Sequence, residues 1–353
     1  DCFDGAAEVQ AAGEIAVVGR ALDKAIAIDC IGTEIRQARQ TDAIGVGQRC
    51  HRDALQDVVL QVFAVAEGRI VVAVAITGRA AADAAGVDLL FEAAVAGGVP
   101  VIRALRESLR GEPVSRVMGI INGTTNFILT KMTEEGADYS AALSEAQRLG
   151  FAERDPTADV EGFDAGAKAA ILASIAFGAK VVAGDVYHEG ISRVTAADIA
   201  VAKRLGYVIK LLGIAERDRE TGEIAVRVHP AMVPNTHPLA SVRESYNAVF
   251  IEGDAVGSLM FYGRGAGGNP TASAVLGDVI DAAVNLVKGT HGSIGSFAKA
   301  TIRPIDETSS EYLLSMEVAD KPGVLHAVTG AFANNGVSIR AAEQEGIGAD
   351  ARL

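Results

Sequence analysis

Residues 146–168 read AQRLGFAERDPTADVEGFDAGAK and set five carboxylates, Glu153, Asp155, Asp159, Glu161 and Asp164, ahead of one amine, Lys168. Asp164 and Lys168 are four apart, so on a helix they share a face. On a solvated surface that spacing is an ordinary ion pair worth a few tenths of a kcal/mol. Beside a buried face it is a candidate proton-donor pair, because burial and a charged partner both move such groups. The apolar run AAILASIAF just downstream favours burial of at least half the helix. Glu153, in the loop before it, could hold the ammonium of an amino-acid substrate.

Two helices must position these groups. The first is expected over residues 139–149, with Asp138 capping its N-terminus and Gly150 at C′. The second is expected over residues 160–177, with Asp159 as its cap.

Read together, Ala146, Gly150-Phe151-Ala152, Asp155-Pro156, Asp159-Val160, Gly162, Asp164 and Lys168 resemble the signature of the homoserine dehydrogenase family. The similarity runs from about Gly86 to the end of the chain. The resemblance implies NAD(P)-dependent interconversion of L-homoserine and L-aspartate 4-semialdehyde, in threonine, methionine and isoleucine biosynthesis. It makes Lys168 the group that moves the proton on the substrate oxygen. Glu153 would bind the substrate ammonium and Asp164 the substrate, with Asp159 supporting both. It also implies a homodimer and a small-molecule substrate.

Upstream, EAAVAGGVP (residues 92–100) by itself reads as a tight turn with small residues, followed by a helix that opens at Pro100. The resemblance adds a monovalent-cation site, sodium, on Glu92, Val95, Gly97 and Val99; all-oxygen ligation suits a hard cation. A strand over residues 114–121 then leads into Asn122-Gly123-Thr124-Thr125. That turn is either a plain helix cap or a set of donors for an anion or carbonyl. In the family it lines the active site, which points to Gly123 and Thr124. The glycine-rich residues 263–271 precede a helix and are equally a sharp turn or an anion cradle. The resemblance assigns Gly267, with Gly150, to the cofactor, NADP or NAD.

The fold expected is α/β and α+β. Residues 1–85 form an atypical segment in place of most of a dinucleotide-binding domain. Residues 86–290 form a substrate and dimerisation domain with a mixed sheet and helices on one side. Residues 291–310 are a linker, and residues 311–353 a truncated, ferredoxin-like ACT domain. In the first segment, Gly45-Val46-Gly47-Gln48-Arg49-Cys50 is the nearest approach to a Rossmann fingerprint, and Cys50 stands where the third glycine belongs. Residues 14–19 and 69–77 read as strands. The segment lacks the lysine that the family carries after a strand here: after Lys24 the next is Lys131. A shifted reading frame would explain so abrupt a change near residues 82–86.

The net charge of −13 disfavours non-specific nucleic-acid binding. No uninterrupted apolar run approaches the roughly 18 residues of a membrane span, and the first ten residues lack a signal-peptide pattern. A cytoplasmic protein without membrane association is the expectation. The cysteines, Cys2, Cys30 and Cys50, have neither disulfide-framework nor zinc spacing. Two other readings stay open: a catalytically impaired fragment that keeps the substrate domain without cofactor binding, and a threonine sensor built on the C-terminal unit.

Overall fold

The computed structural model describes the backbone of residues 16–18, and residues 82, 85–292 and 297–344. The readings at residues 45–50 and 69–77, and the remnant Rossmann unit as a whole, lie outside these. Of the first segment, β1 (Ala16–Val18) is described and pairs antiparallel with β2 (Asp88–Leu90). By compactness the chain divides into residues 1–308 and residues 309–353.

The first unit is built on a six-stranded mixed sheet. Its strands are β3 (Val114–Ile120), β5 (Tyr187–His188), β6 (Tyr207–Arg217), β7 (Ile224–Pro234), β8 (Tyr246–Gly253) and β9 (Gly257–Arg264), in the order β5-β7-β6-β3-β8-β9. Only the β5–β7 pair is parallel. Strand β6 reads as nearly continuous apolar sequence because both of its faces are buried. Ile209, Leu211 and Ala215 join the main core, whereas Leu212 and Ile214 join a smaller cluster on the opposite face.

The main-core face is covered by α2 (Gly123–Glu135) and α5 (Phe163–Phe177). Between them lie α3 (Tyr139–Arg148) and the single turn α4 (Thr157–Val160). Helix α5 is made of small residues, so it comes close to the sheet. A Cβ on Gly213 of β6 would stand 3.3 Å from the Cβ of Ala169. Helix α3 follows expectation. The Asp138 carboxylate accepts from the Ala141 N–H at 2.8 Å, and Gly150 takes the left-handed conformation at φ +78°.

The second helix does not follow expectation. It breaks at Gly162, φ +82°, and α5 starts at Phe163 with no side-chain cap. Asp159 is therefore not its N-cap. The cause is tertiary: the Val160 carbonyl accepts from the Ile191 N–H at 2.7 Å. Gly190 makes that approach possible, since a Cβ there would lie 2.2 Å from the Val160 oxygen and 2.5 Å from the Glu161 Cα. Both obstacles are backbone and cannot swing aside. Gly190→Ala is expected to destabilise by about 1–3 kcal/mol, read as a lower urea midpoint. An unchanged midpoint would show that the turn can move.

Downstream, α6 (Ala196–Arg204) opens with a reciprocal capping box between Thr195 and Asp198. The 21-residue α7 (Gly268–Lys288) is long and apolar enough, by length and composition alone, to cross a membrane. Here it is tied to the domain by its polar side. Asp278 and Asp281 each pair with Arg103 at 3.1 Å. Beyond it, β10 (Ala298–Lys299) pairs with β4 (Ala179–Lys180), and the Arg303 guanidinium binds Asp218 and Glu223.

In residues 309–344 the one helix is α8 (Val324–Asn334), which opens at Gly323 after the Asp320-Lys321-Pro322 turn. No strand of two or more residues forms in residues 309–344. Glu317 sits in a single-residue β-bridge, and Arg340 pairs with Glu311 at 2.8 Å.

Candidate substrate site

Helix α5 presents Asp164 and Lys168 on one face, as their spacing requires. The Lys168 Nζ donates to Asp164 Oδ2 at 2.7 Å and to the Ile121 carbonyl at 3.2 Å. Both side chains keep 25% of their surface exposed, so the pair is partly buried and still reachable. An ammonium has three N–H donors. Among the described residues two are used, which leaves one for a substrate oxygen.

Asn122 joins the second acid. It precedes α2 and caps it, its Oδ1 accepting from the Thr125 N–H at 2.9 Å. That fixes its Nδ2 on the other side, where it donates to Asp159 Oδ1 at 2.7 Å and to Asp164 Oδ2 at 2.9 Å. One amide group thus bridges two carboxylates. Burial, and then the charge of Asp164, raise the Asp159 carboxyl above its ordinary range. By formal charge, Asp159, Asp164 and Lys168 sum to −1, a deficit that a substrate ammonium would fill.

The turns predicted around the cluster are also drawn in. The Thr124 hydroxyl donates to the Phe151 carbonyl at 2.6 Å, which holds the start of α2 against the Gly150 turn. Gly123 has no room for a side chain, because its Cβ would meet the Ser245 carbonyl at 2.7 Å. Glu153 is exposed in the loop after Gly150, and among the described residues its side chain bonds to none of the cluster. The structure therefore gathers Asp159, Asp164, Lys168, Gly123 and Thr124, and leaves Glu153 outside the hydrogen-bonded group. Sequence reasoning missed Asn122. It reads as a cap, which it is, and its second role depends on partners 37 and 42 residues away.

Glu92 opens a one-turn 3-10 helix (Glu92–Ala94) and is buried. Its Oε1 accepts from the Ile102 N–H and its Oε2 from the Arg103 N–H, at 3.0 and 2.8 Å. They are at the start of α1 (Val101–Arg103), which runs on as a π-helical turn, Ala104–Ser108. Burial pushes the Glu92 carboxyl up to about 7. The native state then binds this proton more tightly than the unfolded chain does. The stability from this group is full below about pH 4.5 and is lost as pH rises through about 7. The loss is on the order of 3 kcal/mol. Glu92→Gln is expected to flatten the fall in urea midpoint over that window in cation-free buffer. Parallel pH profiles for the two proteins would contradict this.

Gly267 has φ +119° and ψ 147°, a conformation open in practice only to glycine. It begins α7 with no side-chain cap, so the first N–H groups of a long helix are left to other partners. The turn lies against the Glu92 loop: a Cβ on Gly97 would stand 2.3 Å from the Gly265 oxygen.

The family model described as homoserine dehydrogenase matches residues 100–280, just over half of the chain. The chain belongs to the homoserine dehydrogenase family. A second family model, the ACT domain, matches residues 312–352. Homoserine dehydrogenase of Mycobacterium tuberculosis H37Rv is 56% identical over 271 residues, covering 76% of this chain and 62% of that protein. The Corynebacterium glutamicum protein of the same name is 55% identical over 277 residues, covering 77% and 62%. Among solved structures, a homoserine dehydrogenase from Thiobacillus denitrificans superposes with TM-score 0.73 at 42% identity, covering 79% of this chain and 66% of that one. The chain thus spans 62% of the length of the curated homoserine dehydrogenases just named.

Proposed function

We propose that this chain interconverts L-homoserine and L-aspartate 4-semialdehyde with NAD or NADP. The observation that carries this reading is the bridged cluster Asn122–Asp159–Asp164–Lys168, in which one amide joins two acids and one of those acids holds the amine. In reduction, the Lys168 ammonium gives its remaining proton to the aldehyde oxygen; in oxidation, the amine takes the hydroxyl proton. Asp164 and the Ile121 carbonyl orient the Nζ. Asp159 and Glu153 supply negative charge for the substrate ammonium. A bound nicotinamide supplies or removes the hydride. Gly267 fits such a group, since the uncapped start of α7 offers N–H donors to an anionic or carboxamide moiety; Gly150 joins it on the family likeness alone.

The same proposal extends to a sodium ion on Glu92 and the carbonyls of Val95, Gly97 and Val99. The Glu92 loop suits a hard cation. Its carboxylate is buried, and the Val95 and Gly97 carbonyls accept none of the loop hydrogen bonds among the described residues. The exposed apolar side chains Leu276, Ile280 and Val287 on α7 are consistent with further association, and we place a homodimer in the proposal on the family likeness.

One observation favours the inert-fragment reading: the sequence of residues 1–85 contains no Gly-x-Gly-x-x-Gly. A fluorescence titration with each reduced nicotinamide separates the two. A saturable change in nicotinamide fluorescence, and oxidation of homoserine when NAD+ or NADP+ is supplied as the hydride acceptor, is expected for the enzyme. Homoserine binding without nicotinamide binding would establish the fragment.

A further inference from the structure

Strand β6 carries one charged side chain in its buried middle, Lys210, which is 2% exposed. The mechanism above does not use it. Its Nζ donates to Asn126 Oδ1 at 2.9 Å and to the Val242 carbonyl at 2.5 Å. Both acceptors are neutral, and burial brings the amine down to about 8, with Glu134 acting to raise it and Arg243 to lower it. A buried amine on neutral oxygens costs stability, so it is worth asking what it holds.

Lys210 fixes the orientation of the Asn126 amide, and that amide reaches a loop. The Asn126 Nδ2 donates to the carbonyls of Val242, Glu244 and Tyr246, at 3.4, 2.8 and 3.2 Å. Glu244 within the loop has φ +53°, a strained conformation for a residue with a Cβ. Three acceptors on one amide hold the loop in that shape. The next carbonyl, Ser245, is the one packed onto Gly123. Asn126 itself sits one helical turn after Asn122, its N–H donating to the Asn122 carbonyl at 3.3 Å.

We propose that Lys210 is a positioning residue for the substrate site: with Asn126 it clamps residues 242–246 against the Asn122-Gly123 turn that bridges Asp159 and Asp164. The substrate consequence rests on the homoserine reading above; the clamp itself does not.

The test uses Lys210→Met and Asn126→Ala, singly and together, in the full chain. Amide hydrogen exchange in residues 242–246 and 122–125 is expected to speed up in each variant, with β7 unchanged. Homoserine affinity, by calorimetry, is expected to fall about tenfold in either single variant and no further in the double, since one clamp is lost only once. Exchange that rises evenly over the whole sheet, or that leaves residues 242–246 and 122–125 unchanged, would overturn the clamp. Additive affinity losses would also overturn it. If the unmodified protein binds no homoserine, the substrate reading fails, and local exchange still decides the clamp. If Lys210→Met does not fold, Asn126→Ala gives the same local readout.

Discussion

Lys168→Ala is expected to lower the rate of homoserine oxidation by roughly 10²- to 10⁴-fold, the range a positioned proton-transfer group supplies, while the fold stays intact. The two halves of that expectation have separate causes. The rate falls because, among the described residues, no other amine is held at this place: Lys168 is the one bonded to Asp164 and Ile121. The fold survives because the pair is a quarter exposed on both sides. Solvent-screened pairs of that kind contribute at most about 1 kcal/mol. Once the amine is gone, Asp164 still accepts from Asn122. Steady-state rates and urea midpoints measured on the same preparation check both halves. A near-normal rate would remove Lys168 from the chemistry, and a collapsed midpoint would make its role structural.

Asn122→Ala is expected to damage both stability and binding. It deletes the α2 cap, at a cost of about 1 kcal/mol. It also removes the amide shared by Asp159 and Asp164, leaving two carboxylates close together with one donor fewer. Hydrogen bonds to charged groups are worth about 1.5–3 kcal/mol each, so homoserine affinity should drop at least about tenfold. Asn122→Ser separates the two roles. Serine caps well but is too short to reach either acid. It should recover most of the urea midpoint and little of the affinity. Equal recovery of both would mean that the bridge does nothing beyond capping.

The residues legible in advance were those whose partners lie within one or two turns. Asp164 with Lys168 and Asp138 with Ala141 are set by helical spacing, and each forms as the sequence implies. Asn122 was half legible: its cap is local and its bridge is not. Asp159 misled for the same reason. Local chemistry makes it a good cap, but the Val160–Ile191 hydrogen bond and the close approach at Gly190 break the helix at Gly162 and free Asp159 for Asn122. Lys210 interrupts an apolar strand, which marks it as unusual without revealing Asn126 as its partner. In residues 309–344 the apolar pattern suggested strands, and among the described residues the pairing reaches a single-residue bridge at Glu317.

The most direct test of the account is a calorimetric titration of the unmodified protein and of Asp164→Asn with L-homoserine, without nicotinamide. The substitution keeps the shape of the side chain and removes the charge that holds Lys168. Saturable binding at one site per chain, weakened about tenfold or more in Asp164→Asn, is the predicted result. No binding, or equal affinity in the two proteins, would contradict the assignment of Asn122, Asp159, Asp164 and Lys168 to a homoserine site.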